Sequence, residues 1–138
     1  MIGWPDGYGR RVLASVDSTL SEAARIAPEL LGPEWILAHE QTSARGRRGR
    51  AWAMPAGNFA ATLVLPMSGF PADAALRSFV ASLALRDAFV AATGQETAFA
   101  LKWPNDVLLR GGKVPASYLR VPGKAVACLT SRLVLAST

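Results

Sequence analysis

Four arginines within six residues form the densest group of reactive side chains in this 138-residue sequence. Each guanidinium group can bind two phosphate oxygens at once, and it keeps its charge at any working pH. Glycines between them let a backbone close around a ligand, and a tryptophan that follows can cover an apolar ligand face. A solvated basic loop or a nucleic-acid patch explains the composition equally well. The segment comprises Arg45, Gly46, Arg47, Arg48, Gly49, Arg50 and Trp52.

A second polar group lies in the sequence LKWPNDVLL at 101–109. It puts a cation, an amide and a carboxylate, from Lys102, Asn105 and Asp106, beside a proline that fixes the local backbone. Because Mg²⁺ prefers carboxylate oxygens, Asp106 could help to hold the metal of a bound nucleotide. A turn whose Asn and Asp satisfy backbone donors needs no ligand, so both interpretations stay open.

A third polar group, Asp17, Ser18 and Thr19, stands before a helical pattern. These residue types cap helices, and Glu22 follows Thr19 by three residues as in a capping box. Free N–H groups at a helix start also bind anions and carboxylates. The pattern is compatible with an ordinary helix cap or with a ligand site.

The elements around these groups alternate between strands and helices, which is typical of an α/β or α+β protein. Segment 41–57 has no periodicity and is predicted to be a loop. The predicted strands are 11–16, 35–40, 58–66, 98–102 and 106–109, and the predicted helices are 20–30 and 72–92.

Composition argues against several classes of protein. Hydrophobic residues make up 51% of the chain, yet no apolar run reaches the roughly 18 residues of a membrane span. Cys128 is the single cysteine and His39 the single histidine, so an internal disulfide is impossible and a zinc site or histidine triad is unsupported. The N-terminus lacks a signal-peptide pattern, and a cytoplasmic location is expected. The net charge of +5 falls to +2 without 114–138, which disfavours a broad nucleic-acid-binding face.

Taken together, the three groups resemble the biotin–protein ligase family. The similarity covers about residues 11–114 and implies an α+β fold, with a mixed β-sheet and helices packed on one face, as in the class II synthetase-like biotin and lipoate ligases. It rests on VDSTLSEA at 16–23, EQTSARGRRGRAW at 40–52, GN at 57–58, and LKWPNDVLL at 101–109 with Lys113.

The resemblance also implies a reaction. The carboxylate of biotin attacks the α-phosphate of ATP, which gives biotinyl-5′-adenylate and pyrophosphate. A lysine of the biotin carboxyl carrier protein of acetyl-CoA carboxylase then attacks this anhydride and displaces AMP. Positive charge must meet the pentavalent phosphorus and the leaving pyrophosphate, and a closing loop must shield the anhydride from water.

Site residues follow from the same resemblance. Lys113, which matches the active-site lysine of the family, and Arg47 are expected to be catalytic. Leu20 replaces an Asn found in many members, and Ala44 replaces a glycine that usually opens the loop motif. The expected biotin contacts are Ser18, Thr19, Gln41, Arg45, Gly46, Arg47 and Lys113. The expected ATP contacts are Arg48, Arg50, Trp52, Lys102, Asn105 and Asp106, with Asp106 near Mg²⁺ through the nucleotide.

After Val114 the resemblance stops. Family members continue with AGILLE and later GIGVN, both buried strands, whereas residues 115–121 here are PASYLRV, and proline is a poor central-strand residue. The codons GTN GCC GGC ATC CTA CTT GAG GGT encode VAGILLEG. If the third base of the first codon is deleted, the remaining bases read VPASYLRV, as at 114–121. In the same way, GGT ATT GGC GTC AAC CTG A encodes GIGVNL. When the reading starts one base later, it gives VLAST followed by a stop codon, as at 134–138. Residues 115–138 are therefore predicted to be an out-of-frame translation.

This hypothesis has structural consequences. Residues 1–114 are expected to be the N-terminal part of a catalytic domain, without a preceding helix-turn-helix and without the small C-terminal β-barrel of the family. The sheet is expected to have an open edge where a central strand belongs. Because net stabilities are small, the chain alone is expected to be inactive or nearly so and to aggregate.

Three alternatives stay open. A lipoate–protein ligase shares the fold and the adenylate chemistry, although the arginine-glycine loop and KWPND favour biotin. A nucleic-acid-binding module would show salt-dependent DNA affinity and indifference to biotin, but the short segment before residue 11 makes a repressor role unexpected. The third alternative is a fragment without a function.

Overall fold

The computed structural model describes residues 3–45, 49–54, 57–66, 71–103, 106–114, 117–120 and 125–131. Its helices are α1 (Thr19–Ile26) and α2 (Pro71–Thr93). Its strands are β1 (Gly9–Val16), β2 (Glu34–Gln41), β3 (Phe59–Leu65), β4 (Phe99–Lys102), β5 (Asp106–Leu109), β6 (Gly112–Val114), β7 (Ser117–Arg120) and β8 (Ala125–Ser131). The predicted α+β class is confirmed.

The strands form two sheets rather than the one sheet that the resemblance suggested. The larger sheet has the order β1-β2-β3-β8-β7, and the smaller sheet has the order β4-β5-β6. β1 and β2 are parallel, whereas the other neighbouring strands are antiparallel. A parallel pair needs a crossover connection, and α1 provides it between β1 and β2.

The first core lies between α1 and the larger sheet. Ala23, Ile36 and Val64 are at most 1% exposed, and Leu13 and Leu20 pack against them. The helix ends at Ile26, earlier than predicted, and a short 3-10 turn follows. Pro28 explains the difference, because its ring has no N–H and clashes with the preceding turn of an α-helix.

The second core lies between α2 and the smaller sheet. Leu85, Phe89, Phe99, Val107 and Val114 are buried together, and the rings of Phe89 and Phe99 stack with their centroids 5.4 Å apart. α2 also contacts β7 and β8 of the larger sheet. It therefore holds the two sheets, and the site residues on each of them, in one body.

β8 occupies the position beside β3 where the sequence predicted an open edge. Along the two strands, Phe59 lies opposite Ser131 at one end and Leu65 lies opposite Ala125 at the other. β7 pairs with the far side of β8. From the sequence, an open edge is expected where a central strand belongs, and the backbone of β3 shows no such edge on the side that pairs with β8. Backbone N–H and C=O groups make the ladder, so the pairing does not require the side chains that family members carry there.

In the part of the chain that the structure describes, no helix combines the length and apolar character that crossing a bilayer requires.

Candidate functional site

The start of α1 forms the first part of the candidate site. Ser18 is the N-cap, and its hydroxyl oxygen accepts hydrogen bonds from the backbone N–H groups of Leu20 and Ser21, at 3.2 and 3.3 Å. The capping box predicted around Thr19 is wrong, because the Glu22 carboxylate pairs with Arg25 instead. The cap lies one residue earlier because Ser18, and not Thr19, has the extended backbone of an N-cap.

The cap gives a stability prediction. Ser18→Ala is expected to lower the free energy of unfolding by about 1 kcal/mol, because two backbone donors lose their acceptor. Urea denaturation followed by circular dichroism measures the change. Ser18→Asp is the matched control, since a carboxylate can cap the same donors. Equal destabilisation by both substitutions would show that capping is not what Ser18 contributes.

Asp17 fixes the other side of the same turn. Its carboxylate accepts two hydrogen bonds from Arg25, at 2.7 and 3.0 Å, and one from the backbone N–H of Ser18 at 2.8 Å. The Arg25 guanidinium first, and the Ser18 N–H second, lower the pKa of Asp17 from 3.8 to about 2. The two side chains are 44% and 51% exposed, so solvent screens the pair.

This lowered pKa predicts an acid-dependent contribution to stability. A carboxyl group whose pKa is lower in the folded state stabilises the fold above its unfolded pKa, and the contribution is lost as the pH falls through the folded value. The melting temperature is therefore expected to fall more between pH 5 and pH 2 in the native chain than in Asp17→Asn. The difference should be a few degrees at most because the pair is exposed. Identical pH profiles of the two proteins would contradict the assignment.

Behind the cap lies a buried chain of polar side chains. The backbone N–H and the hydroxyl of Thr19 both donate to Gln41 Oε1, at 2.8 and 3.1 Å, and the hydroxyl of Thr62 donates to Thr19 Oγ1 at 2.9 Å. Thr19 and Thr62 are 0% exposed and Gln41 is 8% exposed. The Gln41 Nε2 group donates to Met54 Sδ at 2.8 Å. The sequence prediction that groups Ser18, Thr19 and Gln41 therefore corresponds to one cluster in space.

Thr62 was missed by the sequence analysis. It lies in the apolar strand FAATLVL, between the buried residues Ala60 and Val64. Its inward position follows from the alternation of strand side chains. A hydroxyl at an inward position must find a hydrogen-bond partner, and this rule was the available signal.

The arginine segment leaves β2 directly after Gln41. Its base is tied to the end of β1 and the turn after it, since the N–H groups of Thr42 and Ser43 donate to the carbonyls of Val16 and Asp17, at 2.9 and 2.8 Å. Arg45 and Ala51 form an isolated antiparallel bridge. Arg45, Arg50 and Trp52 are exposed, and Gly46, Arg47 and Arg48 lie outside the described residues.

The remaining site residues lie on the smaller sheet. Lys113 Nζ is 3.0 Å from Asp106 Oδ1, and their side chains are 54% and 16% exposed. Lys102 is the ladder partner of Asp106 across the β4–β5 pair. Trp103, between these strands, is 80% exposed and lies 6.2 Å from the ring of Phe79. Asn105 lies outside the described residues.

Outside the arginine segment, the described site residues thus form two groups. Ser18, Thr19 and Gln41 are assembled by β1, α1 and β2, whereas Lys102, Asp106 and Lys113 are assembled by the smaller sheet. Among the described residues, no three His, Cys, Asp or Glu side chains converge as metal ligands. A magnesium ion bound near Asp106 would therefore take most of its ligands from phosphates and water, as is usual for this ion.

Sequence comparison places these groups in a family context. Residues 9–131 match the model of the biotin/lipoate A/B protein ligase family, so the match continues beyond residue 114. The biotin–[acetyl-CoA-carboxylase] ligase of Paracoccus denitrificans is 56% identical over 112 residues, which are 81% of this chain and 47% of that protein. The chain therefore spans about half the length of this curated relative.

Solved structures of biotin protein ligases have the same fold. The Leishmania major enzyme in complex with biotinyl-5-AMP superposes with a TM-score of 0.79 at 23% identity, over 98% of this chain and 60% of that one. The Aquifex aeolicus enzyme in complex with biotin and ATP gives 0.77 at 24% identity, over 94% and 54%. At sequence identities of 23% and 24%, this structural likeness shows the fold alone.

Proposed function

This chain belongs to the biotin/lipoate A/B protein ligase family, and from that membership we propose that it carries the biotin-binding and ATP-binding part of a biotin–[acetyl-CoA-carboxylase] ligase. The observation that carries the proposal is the 56% identity to the Paracoccus denitrificans ligase over 81% of this chain. The proposed reaction forms biotinyl-5′-AMP from biotin and ATP and then transfers biotin to a lysine.

Biotin is proposed to lie against Ser18 and Gln41. The NH₂ group of Gln41 faces a thioether sulfur, which is a weak acceptor, so a ligand oxygen would be a better partner. Thr19 belongs to this subsite through Gln41, since its side chain is fully buried. Arg45, Gly46 and Arg47 would extend the biotin contacts along the loop that begins at Gln41.

ATP is proposed to bind between the arginine segment and the smaller sheet. Arg48 and Arg50 supply charges for phosphate oxygens, and Trp52, which is 45% exposed, offers a flat apolar face to the adenine. Lys102 and Asn105 would contact the nucleotide from the smaller sheet. Closure of the arginine segment would exclude water from the anhydride.

Lys113 and Arg47 are proposed to act on the reacting groups. Lys113 would hold the carboxylate of biotin close to the α-phosphate of ATP, where negative charge develops. Its ion pair with Asp106 at 3.0 Å places the ammonium group beside the proposed nucleotide contacts. The single carboxylate of Asp106 fits a magnesium ion that is held mainly by ATP phosphates, and that ion would supply further neutralising charge when bound.

The proposed partner is the biotin carboxyl carrier protein of acetyl-CoA carboxylase, and the proposed location is the cytoplasm. The partner is supported by the Paracoccus denitrificans relative, which is a biotin–[acetyl-CoA-carboxylase] ligase. The location is supported by the chemistry, since ATP and the carboxylase are used in that compartment.

Ligand binding tests the proposal on the soluble fraction of the chain as it stands, since binding does not require turnover. Biotin is expected to raise the melting temperature in a concentration-dependent way, because a ligand that binds only the folded state stabilises it. Lipoate and a short DNA duplex at matched concentrations are expected to have no comparable effect. Stabilisation by lipoate instead of biotin would reassign the substrate, and DNA binding that weakens steeply with salt would favour a nucleic-acid-binding module.

A further inference from the structure

The long helix α2 is apolar on every side. Of its 23 residues, only Asp73, Arg77, Arg86 and Asp87 carry a charge. A helix at a protein surface normally has one apolar stripe and one polar face, whereas a helix that is apolar all round is normally covered on all sides. The sequence of α2 therefore predicts packing partners on two opposite faces.

In the part of the chain that the structure describes, one of these faces is covered and the other is not. Ser82, Leu85 and Phe89 lie on the covered face and are at most 8% exposed. The opposite face carries a row of large apolar side chains at the helical spacing i, i+4 and i+7, here called the α2 ridge. It comprises Leu76, Val80 and Leu83, which are 60%, 65% and 48% exposed.

Exposed apolar surface extends from the α2 ridge toward β4. Phe79 precedes Val80 and is 38% exposed, and its ring centroid is 6.2 Å from that of Trp103. Trp103 follows β4 directly and is 80% exposed, and Leu101 within β4 is 48% exposed. Large apolar side chains that cluster on an exposed surface mark an interaction site.

The charges on the exposed side of α2 argue against a second copy of this chain as the occupant. Asp73 and Asp87 lie seven residues before and after Val80, so they bracket the α2 ridge symmetrically. If two copies packed ridge on ridge about Val80, each of these carboxylates would face another carboxylate, whether the helices ran parallel or antiparallel. Like charges that meet across an interface are costly. The pattern instead fits a helix with a basic residue near each end of its apolar face.

Longer relatives contain polypeptide that can supply such a helix. This chain matches 47% of the Paracoccus denitrificans ligase, and its superposition on the Leishmania major enzyme covers 98% of this chain but 60% of that one. We propose that the α2 ridge, with Phe79 and Trp103 at its border, is the docking surface for an amphipathic helix in the remaining polypeptide of a full-length ligase. The inference depends on the shared fold and not on the substrate proposed above.

Cysteine labelling tests whether that polypeptide covers the ridge. Val80→Cys is combined with Cys128→Ser in this chain, and it is also made in a chimaera in which the matching part of this chain replaces the 112 matched residues of the P. denitrificans ligase. Maleimide labelling of residue 80, followed by mass spectrometry, is expected to be roughly 100-fold slower in the chimaera, because a covered thiol reacts only when its contacts open. Leu31, which is fully exposed and lies outside the ridge, is the matched control, and Leu31→Cys should react at similar rates in both proteins.

Each other outcome of the labelling would overturn the proposal. Equal rates at residue 80 in the chain and in the chimaera would show that the remaining polypeptide does not cover the ridge. Labelling of the chain alone that slows as its concentration rises would assign the ridge to a second copy. Because labelling needs neither biotin nor ATP, a chimaera that protects residue 80 but forms no adenylate would count against the proposed function alone.

A charge placed in the ridge gives a second test. Val80→Lys is expected to change the melting temperature of the chain by about 1 °C or less, as is usual for a substitution at an exposed position. In the chimaera it should lower the melting temperature by roughly 5 °C or more, because an unpaired ammonium group would be buried. Leu31→Lys is the control and should have little effect on either protein. A similar loss in the chain and in the chimaera would mean that Val80 stabilises the chain itself, and it would overturn the docking role.

Discussion

Inserting one base into codon 114 of the gene is expected to convert a poorly soluble, inactive chain into a soluble ligase. We propose that the reading frame is displaced after Val114, and the insertion would restore VAGILLEG at 114–121 in place of VPASYLRV. Biotin-dependent ATP–pyrophosphate exchange is expected to rise from background to readily measured turnover. The soluble yield of the expressed protein should rise with it.

The physical reason lies in the strand that follows Lys113. The restored frame removes Pro115, which lacks a ladder donor, and includes the change Ser117→Ile. Full burial of one such aliphatic side chain contributes about 1.5–3 kcal/mol, whereas net stabilities of small domains are only about 5–15 kcal/mol. A few such positions therefore decide whether the domain is stable.

An insertion of three bases at the same codon is the matched control. It adds one residue but leaves the following frame unchanged, so the exchange activity should stay at background. Normal turnover by the unmodified chain would contradict the displaced frame. An inactive protein after every single-base restoration would contradict it equally.

The local elements could be predicted from the sequence because each has a strong local cause. Short runs of apolar residues place β2 and β3 within one residue of their observed bounds. The end of α1 shortly before Pro28 could also have been foreseen, since a proline in a helix interior disrupts the helix locally. The division of the strands into two sheets could not, because it depends on which strands meet after folding.

The candidate site shows the same division between local and tertiary information. The family motif groups Ser18, Thr19 and Gln41 in one subsite. The structure gives the hydrogen bonds that join Thr19 to Gln41, and Ser18 caps the helix that begins at Thr19. The partner of Thr62 could not be identified from the sequence, because the rule that an inward hydroxyl must be hydrogen-bonded does not say which residue it meets until the strand register is known. In the structure Thr62 lies opposite Ile36 on β2, and this register brings it to Thr19.

Replacing Lys113 is expected to slow adenylate formation strongly while leaving the fold intact. In the frame-restored protein, Lys113→Gln should lower biotin-dependent pyrophosphate exchange by roughly 10²–10³-fold, the usual cost of removing one group that stabilises developing negative charge. The melting temperature should change little, because Lys113 is 54% exposed and its pair with Asp106 is a partly solvated ion pair of small net value.

Arg110→Gln provides the matched control for this loss of charge. Arg110 lies in the same β5–β6 hairpin, and its side chain donates to Gln95 rather than to the site residues, so the exchange rate should stay close to that of the parent. Lys113→Arg keeps the charge but replaces a compact ammonium with a planar guanidinium, and it should recover only part of the activity. If Arg110→Gln and Lys113→Gln lowered the exchange rate equally, the effect would come from the net charge of the hairpin. Lys113 would then have no specific place at the reacting phosphate.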